Sequence, residues 1–150
     1  MTTRRRRVYV AGAYSASDVL QVLRNMKRGM RLATEAFQAG VLPFAPWFDY
    51  HFFLQEDETK GRLTIEDIYQ YSMSFLDNWA EAVLVQQQGW VESKGTVAEI
   101  NRAEELGLPV FFTLESLMKW VAEQDAQEAV SEMTQEAQNR GEYEDQKQEG

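Results

Sequence analysis

Val8-Tyr9-Val10-Ala11-Gly12-Ala13-Tyr14-Ser15-Ala16-Ser17 is the stretch whose reading decides the fold. Four apolar residues that stop at a glycine read as a short buried strand. The polar turn after Gly12 leads into a helix from about Asp18 to Ala39, with Ser15 and Ser17 as candidate N-caps. Along it Val19, Val22, Leu23, Met26, Met30, Ala33 and Phe37 recur at helical spacing, and Gly40 stops the run. A strand, a glycine turn and a helix in this order form the first half of a βαβ unit.

The rest of the chain repeats the theme. Val41 to Ala45 reads as a second strand, and Pro43 within it marks an edge or terminal position, because proline has no N–H for the ladder. Residues 46–62 break the pattern: Trp47, Phe48, Tyr50, His51, Phe52 and Phe53 precede Glu56, Asp57 and Glu58, and read as a long loop. Thr64 and Asp67 resemble a capping box opening a helix that carries Ile65, Ile68, Tyr69, Met73, Leu76 and Trp79. Ala82 to Val85 is a third strand, Thr96 to Leu106 a third helix ended by Gly107, Pro109 to Phe112 a fourth strand, and Leu114 to about Val121 a fourth helix. Strands alternating with helices imply right-handed crossovers and a mostly parallel sheet. The expected fold is therefore α/β, a Rossmann- or flavodoxin-like doubly wound parallel sheet of four to five strands with helices on both faces. The domain is expected over residues 8–121, after a basic leader at 1–7. Residues 122–150, acidic and polar, read as a frayed helix passing into disorder.

Composition narrows the function. With 44% hydrophobic residues in 150, the chain can bury a core without staples. No cysteine is present, so disulfides, zinc–thiolate sites and thiol catalysis are excluded. A net charge of −9 argues against a nucleic-acid binder. Arg4-Arg5-Arg6-Arg7 is the exception, either an RNA-binding or targeting arm or a solvated leader. No apolar run approaches a membrane span or a signal peptide, so a cytoplasmic protein is expected.

In open parallel sheets, ligands bind beyond the carboxyl ends of the strands. Two loops there carry suitable residues. At the first, Gly12 lets backbone approach a ligand, and Tyr14 and Ser15 lie before a helix N-terminus. At the second, Gly89-Trp90-Val91-Glu92-Ser93-Lys94-Gly95-Thr96-Val97-Ala98-Glu99, a hydroxyl, an ammonium and backbone amides converge at a helix start. Glu99 follows about one turn, roughly 5 Å, further in. The plainer reading of Glu99 is a first-turn glutamate favoured by the helix dipole.

These residues resemble the nucleoside 2-deoxyribosyltransferase-like superfamily, which includes nucleoside deoxyribosyltransferases and nucleoside 5′-monophosphate N-glycosidases. The matching pieces are Val8 to Ser15, Pro43-Phe44-Ala45-Pro46, and Ala82 to Val85 followed by Gly89 to Glu99, leading to Ala103, Gly107 and Pro109-Val110. The resemblance implies a parallel α/β domain, assembly as homodimers or larger homo-oligomers, and cleavage of an N-glycosidic bond without metal or cofactor. It implies that Glu99 is the nucleophile, that Ser93 and Gly95 hold the 5′-phosphate, and that Tyr14 and Ser15 border the sugar and phosphate. The substrate it implies is a small (deoxy)nucleoside monophosphate, with no membrane or nucleic-acid partner. Trp47, Phe48, Tyr50 and Phe53 are candidates to stack on the base, or else pack in the core. One departure stands out: the helix before the third strand reads Tyr71-Ser72-Met73-Ser74, without the family's helper aspartate. Asp77 is the nearest replacement in sequence, with Glu81 close by and Asp49 and Asp67 as others. His51 is a further candidate for proton transfer. A module that binds nucleotide without turnover is the alternative reading, and an interaction protein using its acidic tail a third.

Overall fold

The computed structural model describes residues 4–54 and 63–148. Glu56, Asp57 and Glu58, with the side chain of Phe53, lie outside the described residues. The chain divides into two compact units, Arg4–Leu117 and a second that runs from Met118 onward.

The first unit holds four strands: β1 (Arg7–Ala11), β2 (Leu42–Phe44), β3 (Ala82–Val85) and β4 (Val110–Phe111). All pair in parallel, in the order β2-β1-β3-β4. Helix α1 (Val19–Ala39) links β1 to β2, a 3₁₀ turn (Pro46–Asp49) and short α2 (Tyr50–Leu54) follow, and α3 (Ile65–Asn78) leads to β3. Helix α4 (Lys94–Glu105) joins β3 to β4, and α5 runs from Leu114 to Gln148. The α/β class and the parallel sheet are as expected, with four strands.

Strand alternation assigns the two faces. Tyr9, Ala11, Val83 and Val85 pack with Phe44, Leu76, Ile100 and Ala103 under α3 and α4. Val10 turns the other way, onto Met26 and Ala33 of α1, with Ala45 and Trp47. Phe44 stacks face to face on Phe75 at 3.8 Å and locks α3 to the β2 edge.

Several boundaries differ from the sequence reading. The α1 N-cap is Asp18 rather than Ser15 or Ser17, because its side chain accepts from the Leu20 amide at 2.8 Å. The C-terminus is as read: Gly40 adopts φ 115°, and its N–H and that of Val41 return to Phe37 and Ala36 carbonyls. Residues 46–54 are helical rather than a loop, since Pro46 sits at a first helical position that needs no N–H. Helix α5 does not end near Val121 but continues to Gln148. Beyond Val121 the chain is rich in Ala, Glu and Gln and has no proline, a composition of high helix propensity.

The Arg4–Arg7 run is tied to the first unit rather than left as a solvated leader. Arg4 grips Glu81 through two hydrogen bonds of 2.9 and 2.7 Å, and the Arg7 amide donates to the same carboxylate at 2.9 Å. The buried Arg6 lies 3.7 Å away. Partial burial pushes the Glu81 carboxyl up, but the Arg4 and Arg7 contacts outweigh it and hold the group at about 2. Arg5 donates to the Phe37 and Val41 carbonyls and lies over the Phe37 ring, finishing the C-terminus of α1.

Gly29 is the tightest point of the α1 face. A Cβ there would lie 2.4 Å from atoms of the buried Trp47 ring, which has no room to retreat. Gly29→Ala is therefore expected to destabilise the protein by about 1–3 kcal/mol, even though alanine is the better helix former by about 1 kcal/mol. Thermal melts followed by circular dichroism check this; an unchanged or higher melting temperature would contradict the packing.

Candidate functional site

Strand order reverses direction between β1 and β3: the chain leaves β1 toward β2 on one side and β3 toward β4 on the other. Ligands of open parallel sheets bind at this switch point. A cavity of about 450 Å³ lies there, within the size range of small-molecule sites. It is walled by the Gly12–Ser15 turn after β1, by Pro46 and Asp49 after β2, by Ile65, Ile68, Tyr69 and Ser72 of α3, and by Glu92–Thr96 and Glu99 around the start of α4.

The floor is built by β1 and α4. Tyr9 is fully buried, and its hydroxyl donates to the Glu99 carboxylate. Glu99 is itself buried, 7% exposed, and its Oε2 has no hydrogen-bond partner among the described residues. Burial drives the Glu99 carboxyl up to about 8; the charge of Asp49 adds to this and the Tyr9 hydrogen bond opposes it. The same burial and the Glu99 charge raise the Tyr9 phenol well above its ordinary value. A carboxylate placed where it is so poorly solvated is not a surface group serving the helix dipole.

The rim is the N-terminus of α4. Ser93 is the N-cap: its Oγ accepts from the Thr96 amide at 3.3 Å and the Thr96 hydroxyl at 2.8 Å, which leaves its own proton to give. The Lys94 and Gly95 amides belong to the first turn, whose N–H groups have no intrahelical acceptor. A Cβ on Gly95 would be 4.0 Å from Glu99 Oε1, so the turn and the carboxylate face one space. First-turn amides and an under-solvated carboxylate thus meet in a single cavity.

The second carboxylate is Asp49. Its Oδ1 accepts from the Tyr14 hydroxyl at 3.1 Å and its Oδ2 from Ser72 Oγ at 3.4 Å, and only 5% of the residue is exposed. Burial raises the Asp49 carboxyl; the Tyr14 and Ser72 hydrogen bonds, with the nearby His51, counter it. Tyr14 is raised in turn, by burial and by the Asp49 charge. Ser72 is thus the α3 residue on which the acid from the 3₁₀ turn comes to rest.

Gly12, Tyr14, Ser15, Ser93, Lys94, Gly95 and Glu99 are brought together on the cavity wall. Asp77 is not: its Oδ1 is held by Arg102 Nε at 2.8 Å at the surface. Asp67 is spent on the capping box with Thr64. Trp47 is also absent from the wall. Its ring lies buried against Gly12 and Gly29 and stacks on Tyr14, so it supports the turn from behind rather than meeting a base. Phe48 opens onto the opposite, α1 side of the molecule. The exposed His51 sits on Phe52 with Nδ1 2.7 Å from the Phe48 carbonyl oxygen. Tyr9 and Tyr69 escaped sequence reasoning; a tyrosine in an aliphatic buried strand was the available signal, because its hydroxyl must find a partner.

Among the described residues, no group of three His, Asp or Glu side chains is arranged to hold a metal ion, and no helix is long and apolar enough to cross a membrane. Fold and cavity define a Rossmann-like parallel α/β domain with a helix N-terminus and two buried carboxylates at its switch point. The chain belongs to the family described as "Domain of unknown function (DUF7768)", whose model matches residues 6–113. No curated protein matches it.

Proposed function

We propose that this protein cleaves the N-glycosidic bond of a (deoxy)nucleoside 5′-monophosphate, releasing the free base by hydrolysis or passing the sugar to another base. The observation that carries the reading is Glu99, a buried carboxylate with one unpartnered oxygen, on the wall of the cavity rimmed by the α4 N-terminus. The resemblance of residues 8–118 to the nucleoside 2-deoxyribosyltransferase-like superfamily supports the same chemistry.

The 5′-phosphate rests on the Lys94 and Gly95 amides, the Ser93 hydroxyl and the Lys94 ammonium. The anomeric carbon then faces Glu99, whose carboxylate displaces the base and forms a glycosyl ester. The charge that develops on the sugar is stabilised by the same carboxylate. Asp49, seated on Tyr14 and Ser72, delivers a proton to the departing base. Water, or a second base, then attacks the anomeric carbon and gives its proton to the Asp49 carboxylate, which frees Glu99 and restores the acid. The apolar Ile65 and Ile68 side chains with Tyr69 form the wall against which a base lies.

Incubation with a panel of ribo- and deoxyribonucleoside monophosphates, with free base read by chromatography, tests the proposal. Wild type should release base from at least one nucleotide; a panel as inert with wild type as with Glu99→Gln overturns it. The absence of an acid within Tyr71–Ser74 favours the second reading, a binding module without turnover, for which monophosphates would raise the melting temperature and nothing more. Lys94→Met separates phosphate recognition from chemistry. Loss of one charge-assisted contact, about 1.5–3 kcal/mol, raises KM for the monophosphate roughly 10- to 100-fold and leaves kcat close to wild type. An unchanged KM would remove Lys94 from the phosphate site.

A further inference from the structure

One polar side chain on the buried face of α1 reaches out of its own helix. The other buried residues of that face, Met26, Gly29, Ala33 and Ala36, are apolar or small, yet Asn25 lies among them, 7% exposed. Asparagine is a poor helix former, and a buried amide costs free energy unless its hydrogen bonds are made. Both ends of this amide are engaged. Its Oδ1 accepts from Gln21 Nε2 at 2.9 Å, one turn back along the helix, and its Nδ2 donates to the Tyr14 carbonyl at 3.1 Å. The Gln21 contact occupies the oxygen, so the NH2 group is the one that faces the carbonyl.

That contact anchors the turn between β1 and α1. Among the described residues, no backbone–backbone hydrogen bond involves any of residues 12–17. The Tyr14 backbone is instead held by Asn25, and its ring stacks on Trp47 with centres 6.4 Å apart. A stack permits sliding in the plane of the rings; the directional hydrogen bond sets where the residue stops. At its other end Tyr14 donates its hydroxyl to Asp49 Oδ1 at 3.1 Å, the shorter of the two contacts that seat this carboxyl, with Ser72 Oγ at 3.4 Å. Gln21, Asn25, Tyr14 and Asp49 thus form a chain of contacts from α1 to the cavity. Asn25 itself is not on the cavity wall.

We infer that Asn25 is a positioning residue for the acid of the cavity: by pinning the Tyr14 carbonyl it places the hydroxyl that aims the Asp49 carboxyl at the departing base. This role rests on the cleavage proposed above, with Asp49 as its proton donor.

Steady-state kinetics of Asn25→Ala and Tyr14→Phe test it. Alanine is the better helix former and leaves no polar group buried on the α1 face, while phenylalanine removes only the hydroxyl and keeps the stack on Trp47. Circular dichroism melts verify that both variants are folded. With ordinary purine and pyrimidine monophosphates, each variant should lower kcat by about 10- to 100-fold and leave KM close to wild type. With 7-methylguanosine 5′-monophosphate, whose base is already cationic and needs no proton, the loss should nearly vanish. The double variant should be no slower than the poorer single one, because both changes act through one hydrogen bond. A loss that merely reflected a loosened turn would fall equally on both kinds of nucleotide. Equal losses, the split missing from either variant, or losses that multiply in the double variant overturn the positioning role and leave the cleavage standing. A wild type that releases base from no nucleotide overturns the cleavage, and this role with it.

Discussion

Glu99→Gln is expected to lose base release by on the order of 10³-fold or more and, at the same time, to melt at a higher temperature than wild type. The activity loss follows because an amide cannot form the glycosyl ester or balance the charge that develops on the sugar. The stability gain follows from linkage. The Glu99 carboxyl stands at about 8 in the folded protein against an ordinary value of 4.5. Between those two values the unfolded chain has released a proton that the folded chain retains, so wild-type stability falls as pH rises from about 5 to 8, by at most about 1.4 kcal/mol per pH unit. Glutamine removes this dependence. The gap in melting temperature between variant and wild type should therefore be small at pH 5 and largest at pH 8. In the wild type, kcat/KM should climb over the same interval as the nucleophile ionises. A variant no more stable than wild type at pH 8 would mean that the cavity solvates Glu99 far better than its burial indicates.

Asp49→Asn carries the second large effect. A positioned general acid contributes roughly 10²–10⁴-fold, and that loss is expected with ordinary purine and pyrimidine nucleotides. With 7-methylguanosine 5′-monophosphate the loss should nearly vanish, because that base already bears a positive charge and departs neutral without a proton. Equal losses on both kinds of substrate would make Asp49 a residue that positions the sugar rather than one that protonates the base. Asp77→Asn serves as the contrast. Its carboxylate is engaged by Arg102 at the surface, and removing an exposed pair costs about 0–1 kcal/mol and no activity.

The sequence carried the architecture because each element announces itself locally. Val8 to Ala11 and Ala82 to Val85 are apolar runs closed by turns, α1 has an uninterrupted stripe and a glycine stop, and Thr64 with Asp67 forms the capping box that the letters suggest. The α4 turn was legible for the same reason, since Ser93 to Glu99 lie within two helical turns of each other. What stayed hidden depends on contacts across long separations. Asp49 meets Ser72 from 23 residues away, and only the fold shows that it, not Asp77, comes to the cavity. Trp47 looked like a stacking platform because aromatic residues in a polar stretch invite that reading; the glycine at position 29 that makes room for it lies on another element. The arginine run looked solvated because its partner, Glu81, is more than seventy residues on.

Pro43 on the outer strand has a consequence for how the molecule behaves at high concentration. Leu42 N–H turns inward to the Arg6 carbonyl, so the next nitrogen along β2 faces outward, and that nitrogen belongs to proline and has no hydrogen to offer. A neighbouring chain that tried to add itself as a further strand on this side would find the central donor missing. The hydrophobic interior is thereby shielded from runaway cross-β stacking along this border.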